Sequence, residues 1–194
     1  MQLKNYLQKL KILWNPLLFF QIIWTNRFLL RSLVVRNIAS RYRGSFLGLI
    51  WSFVHPLMML CVYTFVFSVV CKARWGIDTG GGRGAFAIIM FCGMAMFNIF
   101  SESVSNSCGV VVDNPNFVKK VIFPLEILPL TQVVASLILG MVWFVLLFLG
   151  TIFIFGKISF AMLLLPLVLL PLGIFSLGIS YFVASLGVYI RDTQ

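Results

Sequence analysis

The chain has 194 residues, 61% of them hydrophobic and only 10% charged, with a formal net charge of +10. Soluble domains carry roughly 25% charged residues, and no soluble fold of this length hides so much apolar surface, so the composition predicts an all-α, polytopic membrane protein. The excess charge argues against a nucleic-acid partner, because Lys and Arg flank apolar runs rather than forming one hydrophilic face, and it reads as an orientation signal with attraction to anionic lipid.

Residues 1–27 mix short apolar clusters with Lys4, Lys9, Lys11, Asn15, Pro16, Gln21 and Asn26. No small-residue cleavage site follows, so this end is expected to be retained rather than removed as a signal peptide. The apolar run 17–24 is too short to span, since about twenty residues are needed. It reads as an N-terminal interfacial segment, with Trp14 and Trp24 at headgroup level.

Residues 28–49 predict an amphipathic helix lying in the membrane plane. On the helical period, Leu30, Val34, Val35, Ile38 and Tyr42 share one side, and Ser32, Arg36, Ser40 and Arg43 the other. Arg31 and Arg41 fall on the apolar side, where long stems can snorkel to the headgroups. The cationic stretch 36–51 feeds directly into the first predicted span, 51–71. Pro56 lies in that span's first two turns, where it frees few backbone groups. His55 beside it has no carboxylate close in sequence, so it reads as packing rather than as a proton relay.

A polar loop with three consecutive glycines at 80–82 separates this span from the second, 85–112. No Gly-Lys-Ser/Thr follows those glycines, which excludes a phosphate cradle. The second half of the span turns polar, with Asn98, Ser101, Glu102, Ser103, Ser105, Asn106 and Ser107. An ionisable group at span depth costs roughly 2.5–3.5 kcal/mol on insertion scales, so Glu102 must face protein or water. It either lines a path or pairs with a buried donor. Residues 113–124, DNPNFVKKVIFP, form the second polar break. The third span is 126–155, followed by a tight turn carrying Lys157. The fourth, 160–190, contains Pro166 and Pro171, which predict a kink or tilt. Gly173, Ser176, Ser180, Ala184 and Gly187 fall on one narrow face of it, a small-residue seam suited to close helix packing.

Eleven of the fifteen Lys and Arg lie in residues 1–50, 113–124 and 191–194, and four in the alternate segments. That asymmetry predicts both termini and the 113–124 bend in the cytoplasm. The four cysteines, Cys61, Cys71, Cys92 and Cys108, form no CxxC pair. They read as helix-packing thiols, not as a metal or disulfide framework. Neither a nucleophile–base pair nor paired carboxylates occur. Gly150, Gly156 and Lys157 mimic a phosphate loop, but five residues separate the glycines instead of four and Ile158 follows the lysine. The chain therefore has no ATP site of its own.

Three stretches carry a family resemblance. Arg36, Asn37 and Ile38, then Arg41, Tyr42, Arg43, Gly44 and Ser45, with Leu47, Gly48, Trp51, Pro56 and Leu57, resemble the opening motif of type-2 ABC transporter permeases that export polysaccharides such as O-antigen, capsule and teichoic acid. Residues 114–130, NPNFVKKVIFPLEILPL, are similar to that family's second signature, and 187–192, GVYIRD, to a third. Asn37 stands where the family commonly has Asp.

The resemblance implies a permease subunit that pairs with a second copy and with a cytoplasmic ATPase, which would bind ATP and Mg. The two permeases would move a lipid-linked glycan. No cofactor or metal on this chain is implied. By the same resemblance, Asn114, Pro115, Asn116, Phe117, Lys119, Lys120 and Phe123 belong to a coupling segment that docks on the ATPase. Arg36, Arg41, Tyr42 and Arg43 belong to a gate helix at the entry for the lipid pyrophosphate, and guanidinium groups suit phosphate. Trp51, Tyr63 and Glu102 are candidates to line the path, and Tyr42, Trp51, Tyr63 and Phe65 offer faces to sugar rings or to plain packing. The family has six spans and this sequence supplies four. It therefore reads as a partial transmembrane domain, lacking the last two spans, and as a poor transporter by itself. The alternatives are a related permease for a lipid or drug-like amphiphile, and a membrane enzyme or scaffold.

Overall fold

The computed structural model describes residues 21, 23–44, 48–66, 82–114, 117, 124–156 and 164–189. Trp14, Cys71, Gly80, Gly81, Lys157 and the final 190–194 lie outside the described residues. The rest is helical: α1, Arg27–Arg41; a 3-10 turn, Gly48–Ile50; α2, Trp51–Thr64; α3, Gly82–Cys108; α4, Ile127–Phe155; and α5, Leu165–Tyr189. No strand occurs among the described residues.

Among the described residues, three helices are long and apolar enough to cross a membrane: Phe86–Cys108, Ile127–Phe153 and Leu167–Tyr189. At about 1.5 Å per residue they reach roughly 35–40 Å, more than a bilayer core of about 30 Å requires. Of the first expected span, 51–71, helix is described over α2 and a π turn at Phe65 and Val66 that continues it. Pro56 sits fully buried inside α2. The helix α5 runs on through Pro171, and α4 stops at Gly156, whose φ of +61° closes the last turn with its N–H on the Ile152 carbonyl at 3.0 Å.

The helix α1 is shorter than expected. Periodicity predicts helix over 28–49, but α1 ends at Arg41 and the chain turns through 42–44. Gly44 supplies the reason, with a φ of +89° that helical backbone does not adopt. Tyr42, Arg43 and Gly44 thus form a turn at the helix end. The buried side of α1 is Leu33 and Val34, whereas Val35 is exposed.

The core is α3 packed against α4 and α5. On α3 the buried residues recur every fourth position: Ala87, Phe91, Ala95, Ile99, Ser103 and Ser107. Such an i, i+4 row forms a ridge that fits a neighbour's groove. Its N-terminal half is apolar, where Phe91 stacks on Trp143 of α4 with ring centroids 5.2 Å apart, together with Ala95 and Leu147. Its C-terminal half is small and polar. The Ser103 hydroxyl donates to the Ile99 carbonyl at 2.6 Å, and Ser107 donates to the Ser103 carbonyl at 2.7 Å. The same carbonyl accepts a bond across the interface from Ser180 of α5 at 3.3 Å. Lipid cannot replace these bonds, so small residues and self-satisfied hydroxyls suit this surface.

Close approach is greatest at two glycines. A Cβ on Gly140 would lie 2.3 Å from the Ile99 side chain, and one on Gly187 would lie 2.0 Å from the Cys108 carbonyl oxygen. Backbone cannot yield as a flexible side chain can, so Gly187→Ala must push α5 away from α3. We expect it to cost about 1–3 kcal/mol, the range for overpacking. Gly178→Ala, with nothing within 4 Å of the new methyl, should leave stability unreduced. Thermal unfolding of the two variants in detergent checks the difference.

Candidate functional site

The polar end of α3 carries Glu102, which the sequence leaves to one of two roles. The fold gives it a partner and places it at a cavity. Its carboxylate forms an ion pair with Arg41, the last residue of α1. It also lines a cavity of about 530 Å³. Arg41 lies on the apolar side of α1 because its partner is a carboxylate on another helix, which replaces the expected snorkelling to headgroups.

The pair belongs to a larger network. Asn37, one turn before Arg41, accepts from the Arg41 Nε at 3.1 Å and donates from Nδ2 to the Gln132 Oε1 of α4 at 3.0 Å. An amide serves both bonds because it holds a donor and an acceptor. A carboxylate at 37 could accept from Arg41 but could not donate to Gln132. Burial pulls the Arg41 guanidinium below its ordinary range, with Tyr42 opposing. Arginine nevertheless remains charged at any working pH. Gln132, 8% exposed, carries no motif and went unmarked in the sequence; its only signal is an amide inside an apolar run.

The bend following α3 meets the other end of this arrangement. Asn114 is half-buried and donates from Nδ2 to the Val110 carbonyl at 2.9 Å, holding the chain as it leaves the helix. Phe117 packs on the cluster of Val110, Leu128 and Ala184. The Arg36 guanidinium lies 5.1 Å from its ring centre, a cation–π distance. The arginine stretch and the bend therefore emerge at the same end of the bundle. Pro115, Asn116, Lys119, Lys120 and Phe123 lie outside the described residues. Arg43 is exposed in the turn.

The cavity opens beside this joint. The turn contributes Tyr42, and α2 contributes Trp51, Ser52, His55 and Pro56. Asn98, Ser101 and Glu102 line it from one face of α3, with Phe97 beside them. Leu139 and Trp143 close it from α4. Tyr42, Trp51 and Glu102, singled out by the sequence, thus share one space. Tyr63 is half-buried farther along α2 and does not line it. Nor does Phe65, which is exposed. Trp143 was missed in the sequence because its apolar span offers no polar contrast to mark it.

The small-residue face of α5 lies elsewhere. Ser176 and Ser180 are fully buried, Ala184 is 3% exposed, and Gly187 meets α3. A methyl on Gly173 would reach ordinary contact with Leu137 of α4, at 3.4 Å. The Tyr181 hydroxyl donates to the Glu126 carbonyl, tying α5 to the start of α4. Cys61, Cys92 and Cys108 form no disulfide. No group of three metal-ligating side chains occurs among the described residues.

The ion pair should prove coupled. A double-mutant cycle of Arg41→Ala and Glu102→Ala is expected to give an interaction of about 1–2 kcal/mol, below the cost of breaking a fully buried pair. The discount follows from side-chain exposures of 20% and 28%. Denaturant unfolding in mixed micelles measures it.

Residues 29–194 match the family model described as ABC-2 type transporter. A Myxococcus xanthus protein named "O-antigen export system permease protein RfbA" is 34% identical over 189 residues, covering 89% of this chain and 63% of the relative. A Klebsiella pneumoniae protein of the same name is 26% identical over 98 residues, covering 50% of this chain and 35% of the relative. The chain therefore spans less than two thirds of the length of these curated relatives.

Proposed function

Since the chain belongs to the ABC-2 type transporter family, we propose that it is the permease subunit of an ATP-driven exporter. Its cargo is a lipid-linked polysaccharide of the O-antigen, capsule or teichoic acid type, carried across the cytoplasmic membrane. The likeness to proteins named as O-antigen export permeases supports that cargo class. Hydrolysis belongs to a separate cytoplasmic ATPase that binds ATP and Mg, and a second copy of the permease completes the path.

One observation carries the reading. The helix α1 joins the bend through Arg36 and Phe117, and joins the wall of the cavity through Arg41 and Glu102. A permease without its own ATP site needs a partner's motion to reach the space its cargo enters, and one short helix touches both places. In this proposal 113–124 is the coupling segment, and Arg36, Arg41, Tyr42 and Arg43 form the gate beside the cargo entry. The termini and the bend face the cytoplasm, as the Lys and Arg asymmetry supports.

Two measurements test this. Loss of the protein should remove surface glycan while its lipid-linked precursor accumulates inside the cell; surface glycan at normal levels would overturn the export reading. Co-purification with the ATPase from the adjacent reading frame should yield a stoichiometric complex. Reversing Lys119 and Lys120 to Glu should weaken that complex at least about tenfold, as expected when like charges replace a docking contact. Unchanged binding removes those two lysines from the docking surface.

A further inference from the structure

We propose that the cavity between α2, α3 and α4 is a sugar-ring subsite, which takes the uncharged part of the cargo and leaves its phosphates outside. The inference deepens the export reading and rests on it for the identity of the cargo.

Size is the first argument. About 530 Å³ falls within the roughly 300–1,000 Å³ typical of small-molecule sites. The lining is the second. Trp51 and Trp143 supply aromatic surface, while Asn98, Ser101 and Glu102 supply hydrogen-bonding groups. Positions 98, 101 and 102 are spaced to share one face of a helix. A pyranose has the complementary pattern, with apolar C–H faces and a rim of hydroxyls that each donate and accept. Asn98 and Ser101 can do both, and an ionised Glu102 accepts. An acyl chain would leave Asn98 and Ser101 facing it without partners, which is costly where they are shielded from water.

Charge is the third argument. No Lys or Arg is among the described lining residues, and the one carboxylate there is Glu102. Arg41 neutralises that carboxylate, and its Nε is held by Asn37. A lining whose one carboxylate is already ion-paired favours a neutral ligand over a pyrophosphate, which would sit against that carboxylate.

Saturation-transfer NMR on the full chain in lipid nanodiscs at pH 7.5 tests the assignment. The probes are methyl pyranosides of glucose, galactose, mannose, rhamnose and N-acetylglucosamine, and inorganic pyrophosphate is the competitor. Transfer to the ring protons of at least one glycoside is expected. Asn98→Leu should weaken it at least about tenfold, as when a hydrogen-bonding partner is removed from a site built around it. Trp51→Leu, which keeps the helix surface apolar, should weaken it comparably and serves if the first variant does not fold. Phe153→Leu, at a position 86% exposed on α4, should change nothing. Transfer to no glycoside, transfer indifferent to both cavity variants, or displacement by pyrophosphate overturns the subsite. The cellular precursor assay decides the export reading separately. Sugar transfer without an export phenotype would keep the subsite and remove the cargo assignment, and export without sugar transfer would remove the subsite alone.

Discussion

The ion pair of Arg41 with Glu102 holds the polar end of this protein together. An ionised carboxylate placed within a membrane span costs roughly 2.5–3.5 kcal/mol on insertion scales. Pairing it with a guanidinium offsets that cost only if the partner stays in place. Asn37 and Gln132 keep it there, since the amide of Asn37 holds the Arg41 Nε on one side and α4 on the other. The position of α1 across the bundle end follows from these bonds, and so does the shape of the cavity that Glu102 and Tyr42 help to line.

The apolar part of the bundle is built on a different principle. Between lipid-facing helices there is no water to expel, so close contact and internal satisfaction of polar groups take over. Ala95, Ser103 and Ser107 on α3, with Ser180, Ala184 and Gly187 on α5, are all small and buried. Gly187 lets α5 reach the Cys108 carbonyl. That contact lies near the bend, where Val110, Leu128 and Ala184 pack with Phe117. The close helix approach and the polar network therefore reinforce the same end of the molecule. Beyond it the packing passes to larger apolar side chains such as Phe91 and Leu147, with Trp143 between them and the cavity.

These two systems meet at α1. Arg36 rests over Phe117, the adjacent Asn37 contacts α4, and Arg41, just over a turn farther, contacts α3. Positions 36, 37 and 41 are close neighbours on a helix, so a displacement of the bend and a change at Glu102 act on the same rigid turn. Contiguous contacts of this kind are the physical basis on which two sites in one protein become coupled.

The sequence by itself determined the class of this protein and the approximate course of its long helices. Continuous apolar length has one physical outcome, and the caps, such as Gly156, are local. It also marked Arg41, Tyr42, Trp51, Glu102 and the small-residue face of α5, because charge, aromatic rings and missing side chains stand out in an apolar chain. Helical periodicity carried α1 too far, to residue 49, since a repeating pattern does not register the positive φ that Gly44 adopts. Only the tertiary structure decided which donor Glu102 finds, which helix Asn37 bridges to, and that Gln132 and Trp143 belong to the site. Those pairings join residues as far as 95 positions apart. No periodicity or local spacing encodes them, because they depend on how the helices cross.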